Sequence, residues 1–127
     1  MAALVQVEAN GLLDSSMAGT AYTAPTTPIK CRLMTANGTA TSAGTEVTGG
    51  SYASQTATFS AASAGSKSTN ANLTYTSMSA TMVVGVELWD SAGTPIRRWF
   101  GALTANKTTN SGDTFSITSG SLTGTLS

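Results

Sequence analysis

The stretch "TMVVGVELWDSAGTPIRRWFGAL", residues 81–103, decides how this chain folds. Its first ten residues are the most apolar run in the sequence and read as a central strand. Gly85 inside that run signals a close backbone approach or a bulge. "DSAGTP", 90–95, reads as a hairpin turn, opened by Asp90 and carrying Gly93. "IRRWFGAL", 96–103, then returns as the antiparallel partner.

Outward from this hairpin, the other signals are short strands separated by turns. "IKCRLM", 29–34, alternates Ile29, Cys31 and Leu33 with Lys30, Arg32 and Met34, the pattern of a half-buried strand. A long polar loop follows over 35–50, with Asn37-Gly38 and Gly49-Gly50 as turn points. Its length suggests a functional or partner-covered segment. "SYASQTATFSA", 51–61, alternates small residues through Tyr52 and Phe59. "ANLTYTS" centres a short strand on Leu73 and Tyr75, and "TFSIT" and "SLTGTL" follow the turn "TNSGD". This spacing predicts a mainly β fold, an antiparallel β-sandwich or small barrel. Residues 3–17, "ALVQVEANGLLDSSM", are the one helical candidate, read equally well as a short helix or a docking arm. The expected division is therefore an N-terminal arm or short helix with its connector over 1–28, then a single β domain over 29–127.

Composition narrows the function. The 127 residues suit one domain with a modest core. Six basic and six acidic residues leave no net charge, which argues against direct nucleic-acid binding. Charged residues make up 9% of the chain, far below the usual ~25%. Ser and Thr fill roughly a third of it. A surface of small hydroxyl residues freezes few rotamers on contact, which suits packing between subunits. The first twenty residues lack the pattern of a signal peptide, and no run is long and apolar enough to span a membrane.

The catalytic inventory is thin. There is no histidine, the commonest general base and metal ligand. Cys31 has no second cysteine to pair with and no base to activate it, so it reads as a buried structural thiol. Glu87 and Asp90, three apart on a strand, point to opposite faces and make a poor acid–base pair. "GTEVTGG", 44–50, leads into a strand, so a phosphate would find no helix N-terminus there. "IRRWF" brings Arg97 and Arg98 beside Trp99 and Phe100. A single such site in a neutral chain reads as a core tryptophan with an arginine in a structural or intersubunit ion pair. No enzyme, cofactor or metal is expected.

Four blocks carry a family resemblance. "GTEVTGGSYASQTATFSAAS", 44–63, resembles a block found in a family of small tailed-phage proteins described as tail-fibre-like or virion structural proteins. "VGVELWDSAGTP" (84–95), "GALTANKTTNSGDTFSITSGSLTGTL" (101–126) and "GTAYTAPTTPIKCRLMTA" (19–36) are similar to further blocks in the same order. Ser54 stands where the family usually has arginine, and "IRRW" replaces a less charged hairpin return. The resemblance implies a virion component and carries over no catalytic residue.

Its place on the virion stays open at the level of sequence. The absence of heptads or fibrous repeats favours an accessory capsid-decoration subunit on the outer surface, docked to the major capsid protein. The alternative is a tail-fibre or tail-associated protein that binds a host receptor or glycan. That alternative requires some of Tyr22, Tyr52, Tyr75 and Trp99 to cluster on an accessible face. Both readings expect a homo-oligomer, a trimer or dimer, closing exposed strand edges. Leu4, Val7, Tyr22, Glu46, Tyr52, Ser54, Arg97 and Arg98 are the candidate partner contacts.

Overall fold

A computed structural model describes residues 2–126. Ten strands and one helix follow in the order β1 (Ala3–Leu4), α1 (Gln6–Ala18), β2 (Ile29–Ala36), β3 (Thr45–Glu46), β4 (Gln55–Ala57), β5 (Ser66–Ser68), β6 (Leu73–Tyr75), β7 (Thr81–Trp89), β8 (Arg97–Thr109), β9 (Phe115–Ile117) and β10 (Thr123–Thr125). The fold is mainly β, built from antiparallel sheets with one short N-terminal helix, and among the described residues no sheet closes into a barrel.

The main sheet runs β1-β8-β7-β2, and β2 shares its outer edge between β3 and β4. Strand β7 is central, as its apolar run predicts, and both of its faces are covered. Val86 and Leu88 enter the core with Cys31 and Leu33. Gly85 and Glu87 lie on the opposite face, under the segment 37–44. A Cβ on Gly85 would collide with Asn37 Oδ1 and sit 2.6 Å from the Gly101 carbonyl, so only glycine fits this strand position. The β7–β8 register also shifts between Val83 and Gly85, so both expectations for Gly85 hold.

The pair β6–β9 supplies the second wall of the core through Leu73, Tyr75 and Phe115. Tyr75 stacks on Tyr52 at 6.0 Å and meets Phe115 edge-on at 6.1 Å. Its hydroxyl donates to the Cys31 carbonyl at 2.9 Å, which satisfies a buried polar group inside the core. Cys31 is fully buried, and burial pushes its thiol up to about 11. Such a thiol stays protonated and unreactive at neutral pH, as a structural cysteine should.

Two expected elements differ in extent. The alternating run 51–61 forms a strand only over Gln55–Ala57, with Phe59 in an isolated bridge to Thr69. Tyr52 accounts for the difference. Between β3 and β4 its hydroxyl accepts from the Leu33 N–H at 2.9 Å and donates to Glu46 at 2.7 Å. A side chain thus completes the β2 edge where a strand would otherwise run. The loop 35–50 is likewise not one open loop. Strand β2 runs on to Ala36, β3 pairs with it antiparallel, and Val47 is buried in the core.

Candidate functional site

The hairpin β7–β8 carries most of the buried charge. Strict alternation along β8 would place Arg97 and Trp99 on one face. The register says otherwise: Leu88 pairs with Trp99 and Trp89 with Arg97, which leaves Arg98 as an extra, bulged residue. Trp99 therefore turns toward the core while Arg97 stays on the opposite face, its guanidinium 5.4 Å from the Phe100 ring. The bulge directs Arg98 toward the N-terminal segment, and its carbonyl accepts from Val5 N–H at 3.1 Å.

On the face away from the core, Arg97 pairs with Glu87 at 3.2 Å. Glu87 also accepts from Gly44 N–H at 2.8 Å and from Trp89 Nε1 at 3.1 Å. Beside them Arg32 lies 4.2 Å from the Trp89 ring and 3.8 Å from Glu46. These contacts fasten the segment 37–44 over the sheet.

Arg98 organises a second cluster. Its guanidinium binds Glu8 of α1 at 2.6 Å and Asp90 of the turn at 2.9 Å. Tyr22 donates its hydroxyl to Glu8. Burial pushes the Asp90 carboxyl up, but donation from Ile96 N–H, Arg98 and Ala92 N–H outweighs it and holds the group below the usual carboxylate range. Burial disfavours the Arg98 charge too, and its two carboxylates more than restore it. Burial, together with the bond and charge of Glu8, raises Tyr22 to about 12. Arg98 Nε is buried and finds no hydrogen-bond partner among the described residues. The two carboxylates of the hairpin thus serve opposite faces, as their spacing predicts, and each holds its own arginine.

Beside the Arg98 cluster is a cavity of about 200 Å³. Leu88, Leu122 and Ala2 line it among the apolar residues, Tyr22, Phe59 and Trp99 contribute aromatic side chains, and Glu8, Arg98 and Lys67 bring charge. Of the four aromatic residues singled out in the sequence, Tyr22 and Trp99 meet here. Tyr75 is buried and Tyr52 half-buried against it, both in the core. Sequence reasoning missed Phe59 and Glu8 as site residues. No local pattern joins Glu8 to Arg98, which lies 90 positions away.

The other candidate contacts lie apart from one another. Val7 is 75% exposed on α1, as are Leu13 and Met17 further along the helix at 56% and 82%. Leu4 is half-buried in β1, and Ser54 half-buried just before β4. Glu46 is half-buried and held by Arg32 and Tyr52. Arg97 and Arg98 are each 9% exposed and form ion pairs within the chain, the structural alternative of the sequence reading. Among the described residues no group of acidic or cysteine side chains is placed to hold a metal ion. No described helix is long and apolar enough to cross a membrane.

A family model described as podophage GP4 fiber I protein gp80 matches residues 3–125. The chain belongs to that family. It is thus a tail-fibre-like member of the small virion structural proteins of tailed phages, as the sequence blocks imply. No curated protein matches the chain.

Proposed function

We propose that the protein is a non-enzymatic structural subunit of the tail fibre apparatus, joined to tail proteins and to further copies of itself. The match to a fiber protein over residues 3–125 carries this reading, and it favours the tail over capsid decoration. The capsid reading drew on the absence of fibrous repeats. A compact domain of short strands answers that objection differently: it serves as an attachment or terminal module of a fibre and not as its shaft. The surface of Ser, Thr, Ala and Gly loses little side-chain entropy on contact. Leu13 and Met17, exposed one turn apart on α1, add apolar surface suited to a symmetric trimer or dimer contact.

Electron microscopy of intact virions labelled with antibody to this protein tests the assignment. Label on the tail supports it. Label spread over the shell between capsomers would restore the capsid-decoration reading. Native mass spectrometry of the purified chain tests self-association, with trimers or dimers expected and a monomer at all concentrations counting against it.

A further inference from the structure

We propose that the groove between β8 and β9 takes up an extended, uncharged segment of a partner protein as an added strand. Both of its walls are unpaired strand edges. Along its outer edge β8 pairs with β1 only at Trp99 and Phe100, so among the described residues 101–109 have no strand on that side. β9 pairs with β6 on one edge and with no described strand on the other. Such edges present backbone N–H and C=O groups ready to pair with another chain. Between them lies a groove of about 600 Å³, lined by 101–105 and 107–109 on one wall and by 113–118 on the other. Residues 103–106 of β8 together face Val84, a bulge that bends the strand beside the groove. The floor is apolar: Val86, Phe115 and Leu122 are buried, and Leu103 and Ile117 pack against the core.

The molecule already seats one short strand in this way. β1 lies antiparallel on β8, with Ala3 opposite Phe100, and Ala2 bridges Gly124 on its other side. Ala2 also lines the groove, so the groove continues the line of β1 along β8. An occupant on that line runs antiparallel to β8 and gives backbone partners to both walls. At 3.3–3.4 Å per residue, about five residues cover the stretch 101–105. Charge and the supply of free chain decide what enters. Lys107 and Asp113 are the charged residues of the lining and are opposite in sign, so a neutral segment with small or apolar side chains is favoured. A second copy is a poor donor. All ten described strands are already paired, and a paired strand keeps one free edge where this groove has two walls. The connector 19–28 carries Pro25 and Pro28, which offer no N–H.

The inference rests on the fibre reading only for where the partner comes from; strand binding can fail while tail labelling succeeds, and the reverse. The probe is the peptide acetyl-Thr-Val-Thr-Val-Thr-amide, titrated into the full chain and followed by amide NMR. It is expected to shift amides of 101–105 and 115–117, to leave those of α1 in place, and to bind with Kd on the order of 1 mM. Proline in place of the central threonine removes one N–H and is expected to weaken binding about tenfold. Glutamate in place of both valines is expected to abolish it, because the floor is apolar. The same five residues joined ahead of Met1 place the strand in line with β1 without a binding step. Hydrogen exchange at 101–105 and 115–117 is then expected to slow about tenfold, and the free peptide should no longer bind. In virions carrying a photo-cross-linking residue at exposed Thr104, the adduct is expected to join an uncharged stretch of a different protein. The proposal is overturned if neither the free nor the joined strand moves these residues, or if the proline or glutamate peptide binds as well. It is equally overturned if position 104 cross-links to a second copy of this chain or to nothing.

Discussion

Arg97 and Arg98 are neighbours in sequence and opposites in structure. Arg97 finds Glu87 ten positions back in its own hairpin. Arg98 reaches Asp90 in the hairpin and also Glu8, 90 positions away. The first cluster holds a loop down on the sheet. The second ties the helix to the sheet and borders the cavity. Alternation already sends the two neighbours to opposite sides, and the bulged residue adds Trp99 to the core side beside Arg98. Buried charges are weak sources of net stability but costly to leave unpaired. Each cluster is therefore best read as a clasp whose loss is felt by the segment it holds.

The largest effect is expected from Arg98→Ala, which leaves Glu8 and Asp90 buried without their cation. A loss of about 3–5 kcal/mol is expected in urea unfolding, a large share of a typical ~5–15 kcal/mol total. Hydrogen exchange in α1 should rise sharply while the segment 37–44 stays protected. Arg97→Ala should cost less, about 2–3 kcal/mol, because Glu87 keeps its bonds from Gly44 and Trp89. Here exchange should rise over 37–44 and not in α1. Equal loosening of both segments by either variant would erase the distinction between the clusters.

Acid sharpens the same contrast. The folded Asp90 carboxyl lies below its ordinary value, so its stabilisation is present above about pH 4 and lost as pH falls through the folded value. Thermal melts from pH 7 to pH 2 should therefore show a drop at the acid end that is smaller in Arg98→Ala. Tyr22 works in the other direction. Its stabilisation is full below pH 10 and is lost as pH rises through about 12. The smallest effect is expected from Tyr52→Phe, about 1–2 kcal/mol, since it leaves Leu33 N–H without its acceptor but keeps the stack on Tyr75.

The hairpin was legible in the sequence because its signals are local. An apolar run, an Asp-opened turn and a returning strand lie within about two dozen residues, and period-two alternation needs no distant information. Cys31 as a core residue, Gly85 as a close approach and the opposed faces of Glu87 and Asp90 follow from the same rule. The truncated strand at 55–57 was not legible. Tyr52 completes a sheet edge with its hydroxyl, and no propensity records which backbone N–H a side chain will meet. Nor was the cavity legible, since Glu8, Tyr22, Phe59 and the Arg98–Trp99 pair come from four separate segments.

By itself, the sequence determined a hydroxyl-rich, antiparallel β protein with no net charge, of a tailed-phage family, with a core strand at 81–89. Those properties depend on composition, on alternation and on blocks contiguous in the chain. Only the tertiary structure decided which carboxylates each arginine meets, which way Trp99 faces, what holds α1 to the sheet, and that two of the four aromatic candidates meet at a cavity. The physical reason lies at Arg98. One extra residue in a ladder reverses the facing of everything beyond it, and whether the ladder takes that residue depends on partners that the chain brings together only when folded.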